Sequence, residues 1–317
     1  MLDFVIYSFA VLKNVIYGIS VFFTSNLTEN VDVLDVLALR YLMSFAALLL
    51  LKVTGLVKMN ISLKDFSKKS SRHSLMISLF LTGLFEPVLY MAFETLGISM
   101  TTTITASVIL SLAPVFVVIC EFIFLKERID WKKGLFLTIG MVGAILIAIY
   151  TKPDANGKDS LPGIIFILLA VITGSLFVTF SRKTSAGFNA MEITYFSCFM
   201  GAVAFNSVNI VKHIINGNLS TYFMPFMSLD NMIGFVFGAI ISTIIATGMN
   251  NFALARMQVS TMSAFTGLST LVTIIFGVMF KNEPLYWYHN IGITLIMIRV
   301  VGMIWLTAGN NRKITEK

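Results

Sequence analysis

Charge is scarce in this chain of 317 residues: aspartate, glutamate, lysine and arginine together make up 12%. An average soluble domain carries roughly 25%, so a solvated surface of ordinary extent is excluded. Proline is also scarce, with 6 residues, which rules out long Pro-rich linkers. The 2 cysteines, Cys120 and Cys198, both fall inside apolar runs, where they act as small hydrophobes. Neither a disulfide framework nor a thiolate metal site is indicated. The 3 histidines, His73, His213 and His289, lie in or beside connecting segments and form no cluster for a buried metal. Walker loops, His-Glu-x-x-His motifs and Gly-x-Ser-x-Gly elbows are absent, which disfavours an ATP-driven pump or a hydrolase. The longest polar interval, Lys52 to Ser74, is 23 residues and too short to bury a core of its own.

Apolar sequence fills the rest. Residues of apolar type make up 57% and the mean hydropathy is +0.87. Ten apolar runs tile the chain: Phe4 to Phe23, Val33 to Leu51, Leu75 to Phe93, Ile104 to Phe124, Gly134 to Tyr150, Leu161 to Phe180, Ala190 to Val211, Met232 to Ala253, Met262 to Phe280 and Asn290 to Ala308. A bilayer core of about 30 Å needs about 20 helical residues to cross it. Continuous runs, rather than ten-residue alternations, select helices over a barrel. The expected fold class is therefore an all-α integral membrane protein with ten transmembrane helices.

The net charge of +7 sits in the connections, where it orients the protein, and implies no nucleic-acid partner. Sixteen lysines and arginines share one side: six in Lys52 to Arg72, four in Lys126 to Lys133, then Arg182, Lys183, Arg256, Arg312, Lys313 and Lys317. Only Lys152, Lys158, Lys212 and Lys281 lie opposite. Both termini are expected in the cytoplasm. The first run has no basic leader or small-residue cleavage site and reads as a retained span.

Internal repetition is the next signal. Phe124-Leu125-Lys126-Glu127-Arg128-Ile129-Asp130-Trp131 after run 4 shares its register with Phe280-Lys281-Asn282-Glu283-Pro284-Leu285-Tyr286-Trp287 after run 9. The chain thus divides into five-helix units at 1–151 and 160–309, followed by a cytoplasmic tail, 310–317. Because five is odd, the second unit enters the membrane from the opposite side, giving the inverted repeat of many secondary transporters.

Glu86-Pro87-Val88-Leu89-Tyr90, Thr95-Leu96-Gly97-Ile98-Ser99 and the stretch from Pro114-Val115-Phe116 to Phe124-Leu125-Lys126-Glu127-Arg128 resemble the EamA repeat of the drug/metabolite transporter superfamily. The resemblance covers nearly the whole chain. The second repeat departs from the first in having Thr270 for Pro114 and Lys281-Asn282-Glu283 for Leu125-Lys126-Glu127. The resemblance implies a permease of the bacterial inner membrane that moves small organic solutes such as amino acids or drugs, often outward. It also implies no cofactor and a cavity built by spans 1, 3, 4, 6, 8 and 9.

Polar residues within the spans carry the candidate chemistry, since a charge at the bilayer centre costs at least about 2.5 kcal/mol and normally faces protein. Glu86, Tyr90 and Glu94 share one helical face. Glu86 is either a proton-carrying or amine-binding carboxylate or half of a fixed ion pair, and Glu94 is expected near outer water. Lys13 and Asn14 sit mid-span in run 1; Lys13 either meets Glu86 at similar depth or snorkels to the cytoplasm. Thr247 and Asn250 in run 8 and Ser111 in run 4 offer uncharged polar groups. Arg299 in run 10 binds an anionic solute, pairs with a carboxylate or ties backbone carbonyls together. Arg40 is expected to pair with Asp35 or lipid head groups. These residues point to a proton-coupled or facilitative transporter whose partners are a small-molecule substrate and the bilayer, as a monomer or homodimer. A non-transporting protein, an intramembrane enzyme or a sensory subunit, is the alternative from another class.

Overall fold

The computed structural model describes residues 2–56, 73–125, 131–150, 159–256, 262 and 265–315, and among these there is no strand. The basic residues Lys58, Lys64, Lys68, Lys69, Arg72, Lys126, Arg128, Lys152, Lys158 and Lys317 lie outside the described residues, as does Glu127. In chain order the long helical segments are α1 (Leu2–Asn30), α2 (Val33–Val53), α3 (His73–Ser99), α4 (Thr103–Phe124) and α5 (Trp131–Tyr150). They continue as α6 (Leu161–Thr184), α7 (Ala190–Ile215), α8 (Leu229–Leu254), α9 (Thr266–Lys281) and α10 (Trp287–Thr315).

Seven of these, α1 to α4 and α6 to α8, are long and apolar enough to cross a membrane. Within α5 the apolar stretch is Gly134–Gly143, and α9 has 16 residues, about 24 Å at 1.5 Å per residue. Large apolar side chains stand on the outside, and charged and amide side chains are buried among the apolar core. Leu50, Val53, Leu135, Val208, Val211 and Met279 stand exposed, whereas Lys13, Arg40, Glu94, Asn250 and Arg299 are buried. Lipid, unlike water, accepts that arrangement.

Local sequence sets the helix starts. Thr102 and Ser160 cap α4 and α6 by accepting the amides of Thr105 and Gly163, and Asn189 with Glu192 forms a capping box on α7. Every major packing seam joins the two halves of the chain: α1 lies against α8 and α9, α2 against α7 and α8, α3 and α4 against α6, and α5 against α10. At the α1–α9 crossing a Cβ on Gly18 would come within 2.6 Å of the Ser269 carbonyl, so only glycine allows that approach.

Three helices are irregular in their middles. In α3 the stretch Leu84–Leu89 is π-helical, and Glu86 leaves helical geometry altogether at φ −139°, ψ 120°, immediately before Pro87. In α8 the π-helical stretch is Phe237–Ala246. In α4 regular helix stops at Leu110 and resumes at Ala113, because Pro114 offers no amide and the Val115 amide bonds Leu112 instead, at 2.9 Å. Apolar clusters pack on either side of this level. One contains Val21, Ile98, Ile104 and Ile274; the other contains Ile6, Ala10, Val117 and Leu254.

Candidate functional site

Between the two apolar clusters lies a cavity of about 170 Å³, and an engineered cavity of about 150 Å³ accepts benzene. Its walls come from α1, α2, α3, α4, α6, α8 and α9. All four charged residues on it, Lys13, Arg40, Glu86 and Glu94, belong to the first half of the chain. The second half supplies hydroxyls and an amide: Ser242, Thr243, Thr247, Asn250, Thr266, Ser269, Thr270 and Thr273.

The two cations are held by neutral groups. Lys13 Nζ donates to Asn250 Oδ1 at 3.0 Å and stands 5.4 Å from the Tyr17 ring centroid, and the Tyr17 hydroxyl is 3.2 Å from Thr247 Oγ1. Arg40 donates from Nε to Thr243 Oγ1 at 3.1 Å and from Nη2 to Ser242 Oγ at 3.3 Å. These bonds join α1 and α2 to α8, across the two halves. On α3 the Tyr90 hydroxyl donates to Glu94 Oε1 at 2.6 Å. Among the described residues no ion pair within 4.0 Å joins two cavity charges, and Glu86 has no hydrogen bond from protein. Both carboxylates and the spare Arg40 donors therefore remain available to a guest.

Of the residues singled out from sequence, Lys13, Asn14, Glu86, Tyr90, Thr247 and Asn250 line this one cavity. Asn14 also donates to the Ala10 carbonyl at 2.7 Å. Ser111 and Arg299 do not line it. Arg299 is 1% exposed behind α4, where Nη1 donates to the Ser111 carbonyl, Nη2 has no partner among the described residues, and the stem fills the place where Gly140 lacks a side chain. Two expectations from sequence need correction. Glu94 is buried at 7% rather than solvated, because Tyr90 turns it into the cavity. Arg40 does not pair with Asp35: seven residues into α2 it lies about 10 Å along the axis from Val33, and Asp35 is taken by His213 Nε2 at 2.8 Å and Asn209 Nδ2 at 2.8 Å. The α9 stripe Thr266, Ser269, Thr270, Thr273 also lines the cavity, and its i, i+3, i+4, i+7 spacing is the sequence signal that marks it.

The end of the bundle carrying Asn30 and Thr103 is tied by carboxylates. Glu283 accepts the amides of Thr103 and Ile104 at 2.8 and 2.9 Å, and Asp159 accepts that of Thr102 at 2.8 Å, so three otherwise orphaned amides at the start of α4 are satisfied. Lys281 reaches Ser25 Oγ at 2.6 Å and Glu29 at 2.8 Å on α1. Asp32 pairs with Lys212 at 2.6 Å. Partial burial alone would raise the Asp32 carboxyl, but the Lys212 bond, the Leu34 amide, the Lys212 charge and the Asp35 amide together outweigh it and hold it below the usual range. Among the described residues no group of three or more His, Cys, Asp or Glu is placed to hold a metal.

Residues 5–149 and 161–305 each match the EamA-like transporter family. An uncharacterised transporter of Bacillus subtilis, YcxC, is 31% identical over 296 residues, covering 93% of this chain and 91% of that one. A S-adenosylmethionine uptake transporter of Rickettsia bellii is 28% identical over 109 residues, 34% of this chain and 36% of that one. A protein solved by crystallography superposes with a TM-score of 0.61 at 15% identity, covering 93% of this chain and 98% of its own, a likeness of fold alone.

Proposed function

The chain belongs to the EamA-like transporter family, and on that premise we propose that it is a secondary transporter that carries small zwitterionic or cationic organic solutes through the central cavity by alternating access. The observation that carries the reading is the division of the cavity wall. Two carboxylates and two cations on one half face hydroxyls and an amide on the other, and each side-chain-to-side-chain bond that crosses between the halves in the cavity wall joins a charge or phenol to a neutral group. Such bonds are exchanged for a guest at modest cost, about 1 kcal/mol net for the phenol bond and about 1.5–3 kcal/mol for each bond to a charged group, whereas a buried ion pair across the seam would lock it. In this reading ten helices cross the membrane as two inverted five-helix repeats with both termini in the cytoplasm of a bacterium, and the flux is outward. Glu86, at the break in α3, carries the coupling proton, and Arg40 and Lys13 receive the solute carboxylate.

Proteoliposomes test this. Purified protein, reconstituted with a pH gradient, is given labelled amino acids, aromatic amines and S-adenosylmethionine. The expected result is gradient-driven flux of at least one solute, with Glu86→Gln keeping its thermal stability and losing the dependence on the gradient. Absence of flux for the whole panel, together with absence of any solute-induced rise in melting temperature, overturns the transporter reading in favour of an intramembrane enzyme or sensor. Unchanged coupling in Glu86→Gln overturns the role of that residue.

A further inference from the structure

Adjoining the main cavity, with Tyr41, Glu86, Phe177, Thr243 and Thr247 common to both, is a second chamber of about 10 Å³ lined by α2, α3, α6, α7 and α8. Its polar lining is Tyr41, Glu86, Thr194, Ser197, Thr243 and Thr247, with the Cys198 thiol beside them. Three of these hydroxyls are already committed. Thr194 donates to the Ala190 carbonyl at 2.9 Å and accepts from Asn251 at 3.1 Å. Thr243 donates to the Gly238 carbonyl at 2.8 Å and accepts from Arg40. Thr247 bonds the Ser242 carbonyl and Tyr17. The other three groups have no hydrogen bond among the described residues: the Tyr41 hydroxyl, the Glu86 carboxylate and Ser197 Oγ. Ser197 is 6% exposed and its oxygen is sealed from solvent. An unsatisfied buried hydroxyl costs roughly 1–3 kcal/mol.

We propose that this chamber is a binding site for one ordered water, held by Ser197, Tyr41 and Glu86. The size fits, since a water needs roughly 10–15 Å³ of such space and two to four polar partners. Three oxygens suit a water, whereas a bound hard cation such as calcium takes six or more. The wall is tight: Gly201 lets α7 come so close that a Cβ there would lie 2.6 Å from the Tyr41 ring and 2.7 Å from Pro87. The water joins the broken turn of α3 to α2 and α7 and fixes the orientation of the Glu86 carboxyl, which makes Ser197 and Tyr41 positioning residues. That consequence rests on Glu86 being the functional carboxylate; the water itself does not.

Infrared spectra of the protein in lipid, in acid buffer, test the site without any transport assay. The Glu86 carboxyl band is identified by its loss in Glu86→Gln. In Ser197→Val, which fills the chamber, and in Tyr41→Phe, which removes one partner, the band is expected to move to higher frequency. A water O–H band that shifts on exchange into oxygen-18 water is expected in the parent and not in Ser197→Val. If Ser197→Val fails to fold, Tyr41→Phe decides alone. An unmoved carboxyl band in the folded variants overturns the proposal. So does a parent band that shifts on adding sodium at constant ionic strength, because the occupant is then a cation.

Discussion

At the scale of single residues, the sequence identified the deepest carboxylate and the mid-span lysine, and both line the cavity. Glu86 was readable because it stands inside an apolar run next to Pro87. Arg40 and Glu94 were not, because depth in a sequence is counted from run boundaries, whereas depth in the fold depends on which neighbours claim the alternative partners. His213 and Asn209, far away in sequence, take Asp35 and leave Arg40 to the hydroxyls of α8. Asp159 shows the same logic outside the spans. Burial pushes its carboxyl up and the Glu283 charge adds to this, more than the Thr102 and Thr105 hydrogen bonds offset. A folded value above the ordinary 3.8 means that the folded state binds the proton better. The favourable contribution is therefore full below the unfolded value and is lost as pH rises through the folded one. Asp159→Asn keeps the acceptor for the Thr102 amide without the charge. Melting temperatures of the variant relative to the parent are expected to be more favourable at about pH 7 than at about pH 4. A variant whose deficit grows toward neutral pH would show instead that the charge is needed.

Among the elements, α4 is the informative one. Pro114 announces an irregular helix in the sequence, but the cure for the irregularity lies 188 positions away. Ser111 would ordinarily give its carbonyl to the Val115 amide; with that amide turned to Leu112, the carbonyl is orphaned in a dry interior and Arg299 of α10 supplies the donor. Arg299 thus acts on the wall of the cavity from behind it. Among the described residues Nη2 has no partner, so one donor of the guanidinium suffices for this carbonyl. Arg299→Gln, which retains a donor, is expected to preserve thermal stability. Arg299→Leu leaves the carbonyl bare, at a cost of about 1–3 kcal/mol, and is expected to melt lower. Equal melting of the two variants would sink this account of α4.

For the molecule as a whole, the membrane class and the two tandem units were legible, because lipid imposes a length and polarity rule on every span. The cavity between the halves is expected only through the family resemblance, from spans 1, 3, 4, 6, 8 and 9, to which the structure adds α2; nothing local in the sequence says that α1 packs on α8 and α9 rather than on its neighbours in sequence. Orientation remains a matter of charge: sixteen basic residues against four predict both termini in the cytoplasm. Cys120 and Cys198 are buried, so single introduced cysteines can be read against a low background. An impermeant thiol reagent applied to intact cells is expected to label Asn30→Cys and to spare Ser70→Cys and Asn310→Cys. The reverse pattern would invert the orientation.

The one-sided distribution of cavity charge has an electrical corollary. Lys13 and Arg40 against Glu86 and Glu94 cancel formally, and the facing half adds no charge. A membrane voltage does work of about 2.3 kcal/mol per elementary charge per 100 mV, so it has little purchase on an empty cavity changing sides. The field acts only on what the cavity has taken aboard, and the current carried per turnover becomes a direct count of the charge on the cargo and its accompanying proton.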